Sequence, residues 1–317
     1  MKAAKKWLII LLALMSAGAL VFVFVNSRFL VAPEPPQEYR PIVDAPQEPT
    51  APPKPPPPRG LQPHEVDIDA ICTEDIEQFL QQFEPSLAVY FRNIDHDFAI
   101  TRHAQRVFHG ASVSKAPFAL YIFQMAQRGE TCLNDMLTFT AADYWGGSGI
   151  IRHRYAFGAQ ISQRDVLRYH LSASCNVATR MLVRKHGIEG YQQWVDELGG
   201  QRWFVRYNVF NSQLNAYDAG LFAREIHNFI EADYTHSSDL QAGLLSNLFP
   251  FIVSDYPVAS KSGWLRGYAW HDMAIVYAPS PFVLVILSRR DGNEQDYQAF
   301  ADISMALQQF NNTWFVR

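Results

Sequence analysis

Residues 108–123 read FHGASVSKAPFALYIF. Gly110 to Lys115 lead straight into an apolar run, Ala116–Phe123. Only 7 residues of the chain are lysine, and an amphipathic surface helix would put a lysine on its wet face. Lys115 instead opens a segment that reads as core, three positions after Ser112. On a helix, positions i and i+3 share a face about 5–6 Å apart, whereas Ser114 faces elsewhere. A serine hydroxyl is a poor nucleophile until a neighbouring base takes its proton. A desolvated lysine has a lowered pKa and can be that base. A helix N-terminus favours developing negative charge, and Gly110 and Ala111 leave the approach uncrowded. By itself the pattern is weak. With 19 Ser and 7 Lys in the chain, roughly 0.4 matches to S-x-x-K arise by chance, and a capping serine beside a snorkelling lysine reads the same way.

Working outward, the spacing predicts a helix over 73–84 capped by Thr73, then a hairpin over 86–101 turning at Asn93–Asp97. Helices follow over 112–128, 163–172, 176–186, 188–198 and 216–231. Residues 258–278 (VASKSGWLRGYAWHDMAIVYA) and FVLVILSRR (282–290) read as strands, and EQDYQAFADISMALQQF (294–310) as a closing helix. Strands at both ends with helices between them predict an α+β fold. Its antiparallel sheet is built from both ends of the domain, and the middle helices form a separate all-helical lobe. A cleft between two such parts is a common place for a site.

Two further motifs strengthen the first. SASCNVATRML contains Ser174-Cys175-Asn176, 62 residues after Ser112, and VASKSGWLRG contains Lys261-Ser262-Gly263. S-x-x-K, S-x-N and K-[ST]-G each occur once, in that order. The chain thereby resembles the class A β-lactamase and penicillin-binding-protein superfamily, whose signature is S-x-x-K, S-D-N and K-T-G. The resemblance spans about residue 70 to residue 317. It takes in Pro117, the YWGGSGIIR stretch ahead of the middle motif, and the closing helix.

The resemblance implies roles. Ser112 would attack a carbonyl and form an acyl-enzyme, with Lys115 as its base or part of its proton relay. Ser174 would pass a proton to the departing nitrogen, aided by Lys261. Asn176 would position Lys115 and the amide side chain of the substrate. The backbone N–H groups of Ser112 and Trp264 would form the oxyanion hole. Ser262, beside Gly263, would bind the substrate carboxylate, with Arg266 and His271 as weaker candidates. The substrate would be a β-lactam or a D-Ala-D-Ala-type stem peptide of peptidoglycan, with no cofactor and no metal.

Two departures stand out. Cys175 replaces the aspartate of S-D-N and reads as a small buried residue. The E-x-x-L-N motif, whose glutamate activates the water that releases the acyl group, has its nearest match in Asn211-Ser212-Gln213-Leu214-Asn215. An amide is no general base at neutral pH, and Asn215 also suits a helix N-cap with Asp218 three residues on. Glu197 and Asp218 are the other acids nearby. The expected balance is efficient acylation with slow release, closer to a D,D-peptidase than to an efficient β-lactamase. A penicillin-binding envelope sensor without turnover is the alternative.

Composition limits other functions. A net charge of −4 with pI ≈ 6.2 gives no nucleic-acid signature. The three cysteines, Cys72, Cys132 and Cys175, have no metal spacing. No G-x-S-x-G and no H-E-x-x-H occurs. Lys2, Lys5 and Lys6 precede an uncharged run, Trp7–Val25, of roughly 28 Å as a helix, close to a bilayer core. A cleaved signal peptide is the competing reading, since Ala17-Gly18-Ala19 resembles a cleavage site. Residues 33–63 hold 13 of the 19 prolines and read as a semi-rigid spacer. The expected organisation is a membrane anchor over 1–30, a Pro-rich linker over 31–65 and a catalytic domain over 66–317. The lysines place that domain outside the cytoplasm, on a bacterial cell membrane if the resemblance holds. The domain is expected to act as a monomer.

Overall fold

A computed structural model describes residues 66–205 and 212–316. The expected anchor and linker lie outside these residues. Among the described residues no helix is long and apolar enough to cross a membrane.

The main sheet is antiparallel and five-stranded. It contains β1 (Leu87–Asn93) and β2 (Ala99–Arg102) from the start of the domain. The short strands β3 (Phe108–His109), β4 (Met136–Thr138), β5 (Gln160–Ser162), β6 (Phe204–Val205) and β7 (Ser212–Leu214) lie outside it. It is completed by β8 (Val258–Leu265), β9 (Ala269–Val276) and β10 (Phe282–Ser288), in the order β2-β1-β10-β9-β8. The expected α+β fold, with a sheet assembled from both ends, is therefore observed.

β10 sits at the centre and all seven of its residues are buried. Its unbroken apolar run follows from cover on both faces, because no position has to meet water. Phe282, Leu284 and Ile286 join the closing helix Glu294–Phe315 through Phe300, Ile303 and Leu307. Val283, Val285 and Leu287 face the helical lobe, where they share a core with Phe222 and Ile226 of the Ala216–Glu231 helix. At roughly 1.5–3 kcal/mol for each fully buried large apolar side chain, these two clusters dominate the driving force for folding.

The lobe helices Gln163–Ser172, Asn176–His186 and Ala216–Glu231 match the expected spans. Asn215 caps the last of these by accepting from the Asp218 N–H at 2.7 Å. Three details differ. Thr73 does not cap its helix through its side chain; its hydroxyl donates to Glu77 at 2.7 Å instead. The 112–128 segment is not one α-helix, since Ala111–Ser114 is a 3-10 turn and the α-helix begins at Lys115. A helix at Ser237–Leu245 was not expected; its mixed apolar pattern carries little helical periodicity.

Candidate active site

Three segments converge where the helical lobe meets edge strand β8. The first is the turn Ala111–Ser114 leading into the helix Lys115–Gln127. Every residue of that helix from Lys115 to Phe123 is buried, so Lys115 enters the core with the apolar run that follows it. Ala111 has φ +44°, a left-handed conformation unfavourable for a residue with a Cβ. This bend presents the half-buried Ser112 at the rim of the lobe.

The second segment is the link between the Gln163–Ser172 and Asn176–His186 helices. Ser174 also has a positive φ, +52°, and is fully buried. The Lys115 amine donates to the Ser174 carbonyl at 2.6 Å and to Asn176 Oδ1 at 2.8 Å, and its nitrogen lies 3.2 Å from the Ser174 hydroxyl. Burial and then the nearby charge of Lys261 hold the Lys115 pKa well below the usual lysine range, partly opposed by Cys175. A neutral amine there can accept a proton. Asn176 is anchored on its other side, where Nδ2 donates to the Gly146 carbonyl at 2.8 Å. The 146–149 loop must be glycine-rich to lie this close. A Cβ on Gly149, whose φ is +141°, would stand 2.6 Å from the Cys175 sulfur. Cys175 is accordingly buried under this loop, in agreement with its reading as a small buried residue.

The third segment is β8. Lys261 is fully buried and donates to the Ser262 carbonyl at 2.7 Å. Burial pushes its pKa down to about 7, against the opposing effect of Asp272. Burial in turn raises the Asp272 carboxyl to about 6, although Phe251 N and Ile252 N donate to it. Gly263 lies against the Ala111–Ser114 turn, and no side chain would fit between them. Ser262 Oγ is buried with no hydrogen-bond partner, an unusual state for a hydroxyl that suits a group awaiting a ligand. The Trp264 ring packs edge-on to Phe249 at 5.3 Å and Phe251 at 6.2 Å.

Ser112, Lys115, Ser174, Asn176, Lys261, Ser262 and Gly263 are thus brought together. His271 is not an anion-binding group of this cluster. The His271 ring is committed through Nε2 to the His109 carbonyl at 2.9 Å and through Nδ1 to the Ser288 N–H at 3.0 Å. Burial lowers its pKa to about 4, so the ring is neutral. Arg266 is exposed in the β8–β9 turn. Sequence reasoning also missed His170. Its Nε2 contacts the Lys115 carbonyl at 2.9 Å and its Nδ1 contacts Thr179 at 3.0 Å. A carbonyl only accepts, so Nε2 carries the proton; the single proton of the Thr179 hydroxyl faces both Nδ1 and the Cys175 carbonyl, 3.1 Å away. No local motif announces such a contact, because it joins three helices.

Of the candidate water-activating acids, Asp218 accepts from the Arg202 N–H at 2.6 Å and anchors the 201–203 turn. Glu197 is exposed and accepts from Gln193 at 2.8 Å. Asn211 lies outside the described residues.

These residues lie on a β-lactamase-like fold, and comparison with known proteins agrees on that fold. The chain belongs to the beta-lactamase enzyme family, a family of serine hydrolases, whose model matches residues 72–310. A β-lactamase from Sphaerobacter thermophilus shares the fold with a TM-score of 0.68 and 19% identity, covering 76% of this chain and 98% of its own. PBP-A aligns with a TM-score of 0.67 and 19% identity over 75% of this chain and 96% of its own. The TLA-1 extended-spectrum β-lactamase aligns with 0.66 and 15% over 77% and 98%. No curated protein matches the chain by sequence.

Proposed function

We propose that the protein is a membrane-tethered serine hydrolase that forms an acyl-enzyme with β-lactams or with D-Ala-D-Ala-type peptidoglycan amides, and that it releases the acyl group slowly. The observation that carries this reading is the buried Lys115 amine, held between Ser174 and Asn176 three residues after Ser112. Neutral Lys115 takes the Ser112 proton as Oγ attacks the carbonyl carbon. The backbone N–H groups of Ser112 and Trp264 receive the oxyanion. The tetrahedral intermediate collapses as Ser174 delivers a proton to the departing nitrogen, leaving an ester on Ser112. Charged Lys261 and Ser262 hold the substrate carboxylate.

Release requires a base aimed at a water on that ester. One oxygen of Asp218 accepts the Arg202 N–H, Glu197 is exposed and accepts from Gln193, and position 211 carries an amide. This favours a D,D-peptidase-like enzyme over an efficient β-lactamase, and the same lack supports the sensor reading, in which acylation is itself the signal. A mutant of PBP-A has been solved as an acyl-enzyme complex with penicillin G, and the corresponding adduct is proposed here on Ser112. The apolar run Trp7–Val25 and the proline-rich 31–65 segment support an anchor and a spacer holding the 66–317 domain outside a bacterial cell membrane.

The test is incubation with a fluorescent penicillin, followed in time by intact mass. A stoichiometric adduct on Ser112 that persists through many acylation times is expected. Absence of any adduct defeats the proposal of acyl-enzyme chemistry, and rapid loss of the adduct defeats slow release.

A further inference from the structure

His109 is two residues before the left-handed Ala111. Its Nδ1 accepts the Ala111 N–H at 3.1 Å. We infer that His109 is a positioning residue for the nucleophile: its neutral imidazole, acting as acceptor, holds Ala111 in the bend that aims Ser112. The inference rests on Ser112 being the acylated residue.

The bend needs such a support. A non-glycine residue at φ +44° costs on the order of 1 kcal/mol or more and persists only when its surroundings impose it. Two contacts fix its upstream end. Gly110 N donates to the Ser212 carbonyl at 2.7 Å, and the His109 carbonyl accepts from His271. The histidine ring fixes the next peptide, between Gly110 and Ala111. A side-chain acceptor at position i meeting the N–H of i+2 is the arrangement by which asparagine stabilises turns. The Ala111–Ser112 peptide then follows, and its orientation sets both the Ser112 N–H and the departure of Oγ.

The role requires an unprotonated Nδ1. An imidazolium presents an N–H at both ring positions, so protonation replaces the contact with two opposed donors. Burial lowers the His109 pKa and keeps the ring neutral. Among the described residues, the elements packed around it bring these groups. On β9, His271 bonds its carbonyl; Arg289, just after β10, lies over the adjacent Phe108 ring at 5.7 Å. The described part of β7 brings only Ser212, Gln213 and Leu214, all uncharged. Lys115 is directed to Ser174 and Asn176.

The test compares the full-length native protein with His109→Asn and His109→Ala, using the acylation rate with a penicillin. Asparagine restores an acceptor that cannot be protonated, so His109→Asn acylates within about threefold of native at neutral pH. His109→Ala falls about tenfold, the rate equivalent of one hydrogen bond of about 1.4 kcal/mol. The rate ratio of His109→Asn to native cancels the titration of Lys115, which both share, and should rise as pH falls from about 7 to about 5. A purely structural histidine would not move that ratio. Nitrogen NMR of the native protein should find the Nε2–H tautomer. Native-like acylation by His109→Ala, a ratio independent of pH, or an Nδ1–H tautomer would each overturn the inference. An acylated residue other than Ser112 would instead overturn the underlying reading of the site.

Discussion

A Cβ placed on Gly263 would stand 2.6 Å from the backbone nitrogen of Ser112 and 2.7 Å from that of Val113. The glycine of K-S-G therefore acts as a spacer that lets the edge strand touch the turn that carries Ser112. Both obstructing atoms are backbone, so neither can swing aside. Gly263→Ala should lower stability by about 1–3 kcal/mol through overpacking and reduce acylation sharply, because strand and turn must separate. Denaturant melts with parallel acylation rates measure both; an unchanged rate would mean that the separation of strand and turn does not matter to the chemistry.

Ser112→Ala should abolish covalent labelling by a fluorescent penicillin. Ser114→Ala should keep it. The Ser114 hydroxyl is buried and donates to the Ala111 carbonyl at 2.9 Å, so its removal should cost about 0.5–1.5 kcal/mol of stability instead. Peptide mapping of the adduct separates the two residues.

Lys261 has a folded pKa of about 7 against 10.5 when unperturbed. Below about pH 7 it is charged, and above that it loses the charge proposed to hold the substrate carboxylate. Acylation should therefore decline on the alkaline side as pH rises through about 7. The stability effect has the opposite sense. Between the two pKa values the unfolded chain binds the extra proton, so the contribution of Lys261 to stability improves as pH rises from about 7 toward 10.5. Lys261→Met should raise the melting temperature at neutral pH while slowing acylation roughly ten- to a hundredfold. A destabilised variant would contradict the burial penalty.

Release offers a gain-of-function test. General-base catalysis contributes about 10²–10⁴-fold, so a penicillin adduct on the native chain should turn over slowly after a stoichiometric burst. Asn211→Glu should accelerate release if NSQLN occupies the place of E-x-x-L-N. Stopped-flow burst kinetics compare the two. Fast release by the native chain would mean that another group activates the water.

Much of this was legible because it is local. The three motifs are short and ordered along the chain, and amphipathic periodicity marked the helices 163–172, 176–186 and 216–231 to the residue. The continuous apolar run of β10 read as a strand, and the fold showed that both its faces are covered. Other features depend on where distant segments meet. His271 could be read as an anion-binding group until the fold placed the His109 carbonyl and the Ser288 amide against its two nitrogens. The Arg202 amide on the Asp218 carboxylate likewise comes from a segment distant in the chain.

By itself, then, the sequence singled out the candidate residues and the elements that hold them, because spacing and hydrophobic period are properties of neighbouring positions. Only the tertiary structure decided their charge states and their reach. Lys115 and Lys261 are 146 positions apart in the chain, yet both are fully buried and the charge of Lys261 lowers the Lys115 pKa. Desolvation and through-space Coulomb interaction depend on the atoms that surround a group, and only folding brings those atoms together.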